Sequence, residues 1–296
     1  MNPEEVAPAW RACTPSRYRL AEGARWTDGS LLFVDLLRGD LHRVRGVGAG
    51  GPELLLGLRM PLGAVAPTVG GPPGQWIIAA GPGVALTDAR GDVDWLARPG
   101  GRPDRSMRMN DGACDPAGRF WAGSMEVAAA PGAGSLFRTD TDGTVHEVLD
   151  GLTVPNGPVF SADGSLMYLA DSATGTIRRH AVHPASGTLG EGELFASFPS
   201  EEGRPDGMTV DDEQNLWVAL WGAGRVLCLA PDGRRLRTVC LPTPHTSSVA
   251  FGGGLMFVTT ATHRLDRPGP LDGAVLAAMT EVTAPPVQPF GAIPEA

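Results

Sequence analysis

The chain of 296 residues reads as an all-β protein, a six-bladed β-propeller, on two observations. Six short β-prone cores, centred on Phe33, Trp76, Trp121, Tyr168, Trp217 and Phe257, recur at intervals of 40–49 residues, the period of a propeller blade. Asp-Gly turns punctuate them at Asp28-Gly29, Asp142-Gly143, Asp163-Gly164 and Asp232-Gly233. A third observation concerns the centre of the ring. Glu22, Asn110, Asn156 and Asp206 each stand 11 or 12 residues ahead of the aromatic of their own repeat. Equal phase in a radial repeat means equal position in each blade, so these residues begin the innermost strands and face one another across the central channel. Two carboxylates and two amides form a hard oxygen set suited to a divalent cation, which predicts a central-channel metal site.

Each blade follows from local pattern. In the first, the alternating run 30–35 is followed by a strand over 39–44 with charge on its outer face. Later blades repeat the scheme, with second runs at 175–179 and 224–227. The last blade is less regular: a polar, Pro-containing stretch over 262–270 precedes a returning strand over 273–279. Residues 18–21 are expected to pair with that blade and close the ring, removing an open sheet edge. The first dozen and last ten residues read as loose tails, with Trp10 able to fold over the channel mouth. No 12-residue window holds a helical period. The expected organisation is one propeller domain over 1–296, with its repeat core over about 18–280.

Composition narrows the function. A mean hydropathy of −0.04 and 42% hydrophobic residues describe an ordinary globule. A net charge of −9 and a pI near 5.1 disfavour nucleic acid and anionic membranes as partners. Every one of the 24 basic residues is Arg, a composition that reads as genomic bias. Cys13, Cys114, Cys228 and Cys240 lack zinc-ligand spacing and read as reduced thiols. No secretory leader or bilayer-spanning run is evident, so the expected location is cytoplasmic. Oligomeric state is not legible.

The motifs themselves carry a resemblance. Glu22-Gly23-Ala24-Arg25-Trp26, Arg108-Met109-Asn110-Asp111-Gly112, Pro155-Asn156-Gly157 and Pro205-Asp206-Gly207-Met208 resemble the senescence marker protein/gluconolactonase/luciferin-regenerating enzyme family over about residues 18–280. The resemblance implies a six-bladed propeller with one divalent metal in its channel, held by Glu22, Asn156 and Asp206. It implies that Arg108 and Asn110 approach the substrate and that Asp206 is the general base. Two departures stand out. Ala24 replaces the family's usual Pro, and the acidic residue of a sugar-contacting position is either shifted to Glu126, ahead of the apolar run 127–130, or absent.

The chemistry is coherent without the label. Lactone hydrolysis passes through an oxyanion, and a cation with open positions polarises the carbonyl and acidifies water. Asp206 then accepts the proton and returns one to the leaving hydroxyl. The expected function is a metal-dependent hydrolase opening a sugar or small hydroxy-acid lactone. Ca, Mg, Mn and Zn all remain open as the metal. Two alternatives use the same sequence: an isomerase or cyclase acting on a carbonyl substrate, and a non-catalytic propeller binding module. His245 shares the phase of the site and is a candidate acid/base at the rim, and Trp221 a candidate pocket wall. Asp111, Asp115, Asp163 and Asp211 are assigned to turn and blade hydrogen bonding.

Overall fold

Each of the six aromatic-centred cores is the second strand of a four-stranded antiparallel sheet, and six such sheets form the blades of a propeller. A computed structural model describes residues 4–15, 17–45, 50–101 and 105–291. The second strands are Ser30–Asp35, Trp76–Ala80, Phe120–Glu126, Leu166–Asp171, Leu216–Trp221 and Leu255–Thr260. The first strands, innermost, are Ala21–Thr27, Leu62–Pro67, Met107–Cys114, Pro155–Phe160, Arg204–Val210 and Thr246–Gly252. Neighbouring first strands touch around the ring, which puts their starting residues at one mouth of the channel. Among the described residues the sole helix is the 3₁₀ turn Ser200–Glu202, so none is long and apolar enough to cross a membrane.

The cores lie between blades. Leu32, Val34, Leu62, Val65 and Ile78 pack blade 1 on blade 2, and Trp217, Val249, Phe251 and Val258 pack blade 5 on blade 6. Two buried indoles are fixed in the same way. Trp121 Nε1 donates to Asp115 at 2.9 Å and Trp217 Nε1 to Asp211 at 2.8 Å, each Asp six residues upstream. Trp26 stacks on Phe257 at 5.3 Å. The Asp28-Gly29 turn takes positive φ at both residues (49° and 69°), as a tight hairpin of strands with this twist requires. Asp115, Asp163 and Asp211 serve turns, as expected. All four cysteines are free.

The ends of the chain differ from expectation. Arg11–Ala12, rather than residues 18–21, supplies the fourth strand of blade 6, pairing antiparallel with Val275–Met279; Leu20 adds a single bridge to Ala261. Glu4–Val6 joins blade 5 as a fifth strand, parallel to Arg235–Cys240. Residues 4–6 and 11–12 are therefore sheet rather than loose tail, while residues 1–3 lie outside the described residues. Trp10 packs against the core between blades 5 and 6 and donates from Nε1 to the carbonyl of Cys240, on the outer strand of blade 5, at 2.8 Å, so it does not cover the channel. At the other terminus Phe290 is buried and bridges Thr68 in parallel, while residues 292–296 lie outside the described residues. The segment before it, Pro285 to Gln288, helps line a cavity of about 110 Å³ with Arg25, Pro158 and Met208, toward the far end of the channel.

Candidate active site

Every first strand breaks register with its neighbour at the mouth. Glu22 pairs with Val34 and Arg25 with Leu32, so two residues are extruded where the partner extrudes one; Asn156 and Val159 against Ala170 and Tyr168 repeat the pattern. Breaks between Met109 and Gly112 and between Pro205 and Met208 contain Asn110 and Asp206. Bulges bend a strand and redirect side chains. All four phased polar residues thus sit at bulges, and all four are buried at 3–7% exposure.

The amides form a relay between blades. Arg108 Nη1 donates to Asn110 Oδ1 at 2.7 Å and to its neighbour's carbonyl, Met109 O, at 3.0 Å. Asn110 Nδ2 donates to Asn156 Oδ1 at 2.9 Å and to the Pro155 carbonyl at 2.7 Å. Asn156 Nδ2 donates to Ser172 Oγ at 2.7 Å. Asn110 is thereby committed to orienting Arg108 and Asn156, whereas Asn156 keeps one lone pair on Oδ1. Ser172 in turn donates to Pro205 O, and Ser247 to Ala21 O. These bonds share one logic. Asn110, Ser172 and Ser247 each donate to the carbonyl just ahead of a site residue in the next blade: Asn156, Asp206 and Glu22. Ser172 and Ser247 carry no motif that marks them, although Ser247 lies ten residues ahead of Phe257, close to the phase of the site.

The carboxylates are left open. Glu22 Oε2 and Asp206 Oδ1 are buried with no hydrogen-bond partner. Burial, then repulsion from Asp111, pushes Glu22 up to about 8. Burial, then the charge of Glu22, holds Asp206 well above the usual carboxylate range. Arg108, on which burial acts most, is pushed down, and the same two carboxylates hold it back up. Asp111 faces elsewhere: its oxygens accept from Gly112 N at 2.7 Å and Gly157 N at 2.9 Å, and Arg25 lies 3.9 Å away. Among the described residues no three carboxylate, imidazole or thiolate groups gather at ligating distance. A cation here would therefore rest on Glu22, Asp206 and an amide oxygen. The two orphaned carboxylate oxygens and the free Asn156 lone pair fit such an ion, since a buried pair of like charges without donors is stabilised by a cation between them.

The rim holds the remaining candidates. Trp221 and His245 stack at 4.1 Å with 17° between their planes, and His245 Nδ1 donates to the His263 carbonyl at 3.0 Å. Burial lowers the pKa of His245. Glu126 Oε2 accepts from Ala130 N at 3.2 Å and so organises its own loop. Blade 2 offers no polar group at the site phase. Its bulge residue is Gly63, where a Cβ would lie 2.0 Å from the Asn110 carbonyl, so glycine is what lets the two first strands approach.

Comparison with known proteins agrees with this architecture. The model of the SMP-30/Gluconolactonase/LRE-like region matches residues 20–262. Regucalcin of Gallus gallus is 32% identical over 262 residues, covering 85% of this chain and 86% of that protein. Pentonolactonase XacC of Haloferax volcanii is 40% identical over 161 residues, covering 53% of this chain and 55% of the relative. The crystal structure of a calcium-binding protein, regucalcin, from Agrobacterium tumefaciens superposes with a TM-score of 0.89 at 26% identity, covering 98% of this chain and 99% of that one.

Proposed function

Because the chain belongs to the SMP-30/gluconolactonase/LRE-like family, we propose that it is a divalent-metal-dependent lactone hydrolase. One observation carries the reading: two buried, unpartnered carboxylate oxygens, Glu22 Oε2 and Asp206 Oδ1, lie beside the guanidinium of Arg108 at the channel mouth. The relatives' names support the reaction class, since pentonolactonase is among them.

Glu22, Asn156 and Asp206 would hold the cation. What it supplies when bound is polarisation of a carbonyl and acidification of water. The remaining work belongs to the chain. Arg108, fixed by Asn110 and Met109, presents its remaining N–H groups to the substrate. Asn110 keeps Asn156 in one orientation by donating to its Oδ1. Asp206 accepts a proton from water through its carboxylate and returns one to the leaving hydroxyl. The Asn110, Ser172 and Ser247 bonds hold the three ligand backbones without using the ligand side chains' free oxygens.

Metal analysis of protein purified without added metal or chelator, paired with a lactone panel, tests this reading. Asp206→Ala is expected to lower turnover about a thousandfold, the scale of a lost general base, with the fold retained by circular dichroism. Wild-type rates from that variant, or from chelator-treated protein, would refute it.

A further inference from the structure

Three buried hydroxyls of blade 6, those of Ser247, Ser248 and Thr259, meet between the strands that carry Glu22 and Asp206. Neighbouring residues of a regular strand point to opposite faces. Here Thr246 pairs with Thr260 and Ser248 with Thr259, so Ser247 is the extra residue of a bulge and both serines reach Thr259. Ser247 Oγ lies 2.9 Å and Ser248 Oγ 2.6 Å from Thr259 Oγ1. The outer ends of the cluster hold blade 1. Ala24 N donates to Ser248 Oγ at 3.0 Å, and Ser247 Oγ donates to the Ala21 carbonyl. These two bonds grip the bulged segment 21–24, which carries Glu22. Blade 5 presses on the same serines: a Cβ on Gly207, next to Asp206, would lie 2.5 Å from Ser248 Cβ and 2.7 Å from the Ser247 carbonyl.

Counting protons gives the cluster one direction, because each hydroxyl has a single proton to donate. The Ser247 proton is committed to Ala21 O, so the Ser247–Thr259 contact needs the proton of Thr259. Ser248 must then donate to Thr259, which leaves a Ser248 lone pair for the Ala24 amide. The other acceptor near Thr259, the Ser248 carbonyl, stands at the longer distance of 3.5 Å. The order that fills every shorter contact runs from the Ala24 amide through Ser248, Thr259 and Ser247 to the Ala21 carbonyl. Interrupting it leaves a buried donor or acceptor unmade at one end of the Glu22 bulge.

Resting on the metal-dependent reading above, we propose that Ser247, Ser248 and Thr259 are positioning residues. Their hydroxyl relay fixes the Glu22 bulge against Asp206 and so sets the spacing at which the two open carboxylates take a divalent cation. Ala24 belongs to the device, since its amide feeds the relay and a proline in its place would have no N–H to give.

The test reads metal affinity and backbone protection rather than turnover. Chelator-stripped protein is titrated calorimetrically with Mn²⁺, and hydrogen exchange of the Ala24 amide is followed in the metal-free protein. Thr259→Val keeps the side-chain shape without the hydroxyl, Thr259→Ser keeps the hydroxyl, and Ser248→Ala removes the acceptor of the Ala24 amide. Thr259→Val and Ser248→Ala should each bind Mn²⁺ about tenfold more weakly and exchange the Ala24 amide about tenfold faster, while Thr259→Ser matches the wild type in both. Adding Ala24→Pro to Ser248→Ala removes the orphaned donor and should recover most of the affinity. A merely structural role would lower the melting temperature and leave the Mn²⁺ affinity of the folded protein unchanged. That result in both Thr259→Val and Ser248→Ala overturns the proposal. So does an Ala24 amide that exchanges as fast in the wild type as in Ser248→Ala. Wild-type protein that binds no Mn²⁺ while its Ala24 amide stays protected sinks the metal reading and leaves the clamp on the Glu22 bulge standing.

Discussion

Replacing Glu22 with Gln should make the metal-free protein more stable, increasingly so as pH rises from about 4.5 to about 8. Ionising a carboxyl whose pKa is raised from 4.5 to about 8 costs the fold about 5 kcal/mol. The sign follows from the two states. Below pH 4.5 Glu22 is protonated whether folded or unfolded, and its full contribution to stability is present. As pH rises the unfolded chain ionises first, so stability is lost progressively until pH passes about 8, where the folded carboxyl ionises too. Gln does not titrate, and removing the Glu22 charge also relieves Asp206, whose own rise rests partly on it. For a chain of this size about 5 kcal/mol corresponds to about 10 °C in melting temperature. Calorimetric melts of chelator-treated wild type and Glu22→Gln between pH 5 and 9 should therefore diverge from a difference of about 2 °C at pH 5 to about 10 °C at pH 9. Added divalent cation should reverse the order, because it binds the native wild type and stabilises it by mass action. Parallel curves over the whole range would show that Glu22 is not a desolvated carboxylate facing another.

Three further outcomes follow from the same geometry. Asn156→Asp adds a third carboxylate and should retain metal longer on dialysis while turning over more slowly; unchanged retention and rate would remove Asn156 from the ligand set. Gly63→Ala places a methyl against the Asn110 carbonyl and should cost about 3 kcal/mol, read as a melting-temperature drop of several degrees, with a raised KM because Asn110 orients Arg108. Deleting residues 1–12 strips Arg11–Ala12 from Val275–Met279 and exposes a sheet edge, which should appear as higher oligomers in size-exclusion chromatography.

Periodicity reveals what repeats and conceals what closes. The second strands were legible because each needs a large apolar side chain at one depth, and Phe33, Trp121 and Phe257 are fully buried there. Glu22, Asn110, Asn156 and Asp206 were legible because a channel seen from six blades imposes one phase on whatever faces it. The closing strands at Glu4–Val6 and Arg11–Ala12 occur once and are two or three residues long, too short for alternation to register. Trp10 illustrates the ambiguity: an indole near a terminus can cap a channel or anchor a strand, and a single carbonyl, that of Cys240, decides between them.

The scaffold of the site was hidden for a different reason. Ser172 and Ser247 stand in sequence as any serine beside a β-turn does, and their role exists only across a blade boundary, where each meets the carbonyl ahead of Asp206 or Glu22. Gly63 is the same problem inverted, since its contribution is the side chain it lacks. These positions fit a ring in which only blades 1 and 5 place a carboxylate at the site phase. With two carboxylates already facing each other, a third charge in the ring would have to be desolvated without a counter-ion. Blade 2 therefore gives space to Asn110, and blade 6 gives a hydroxyl to the backbone of Glu22. Both leave the open oxygens of Glu22 and Asp206 as the unsatisfied acceptors toward which a cation and its substrate are drawn.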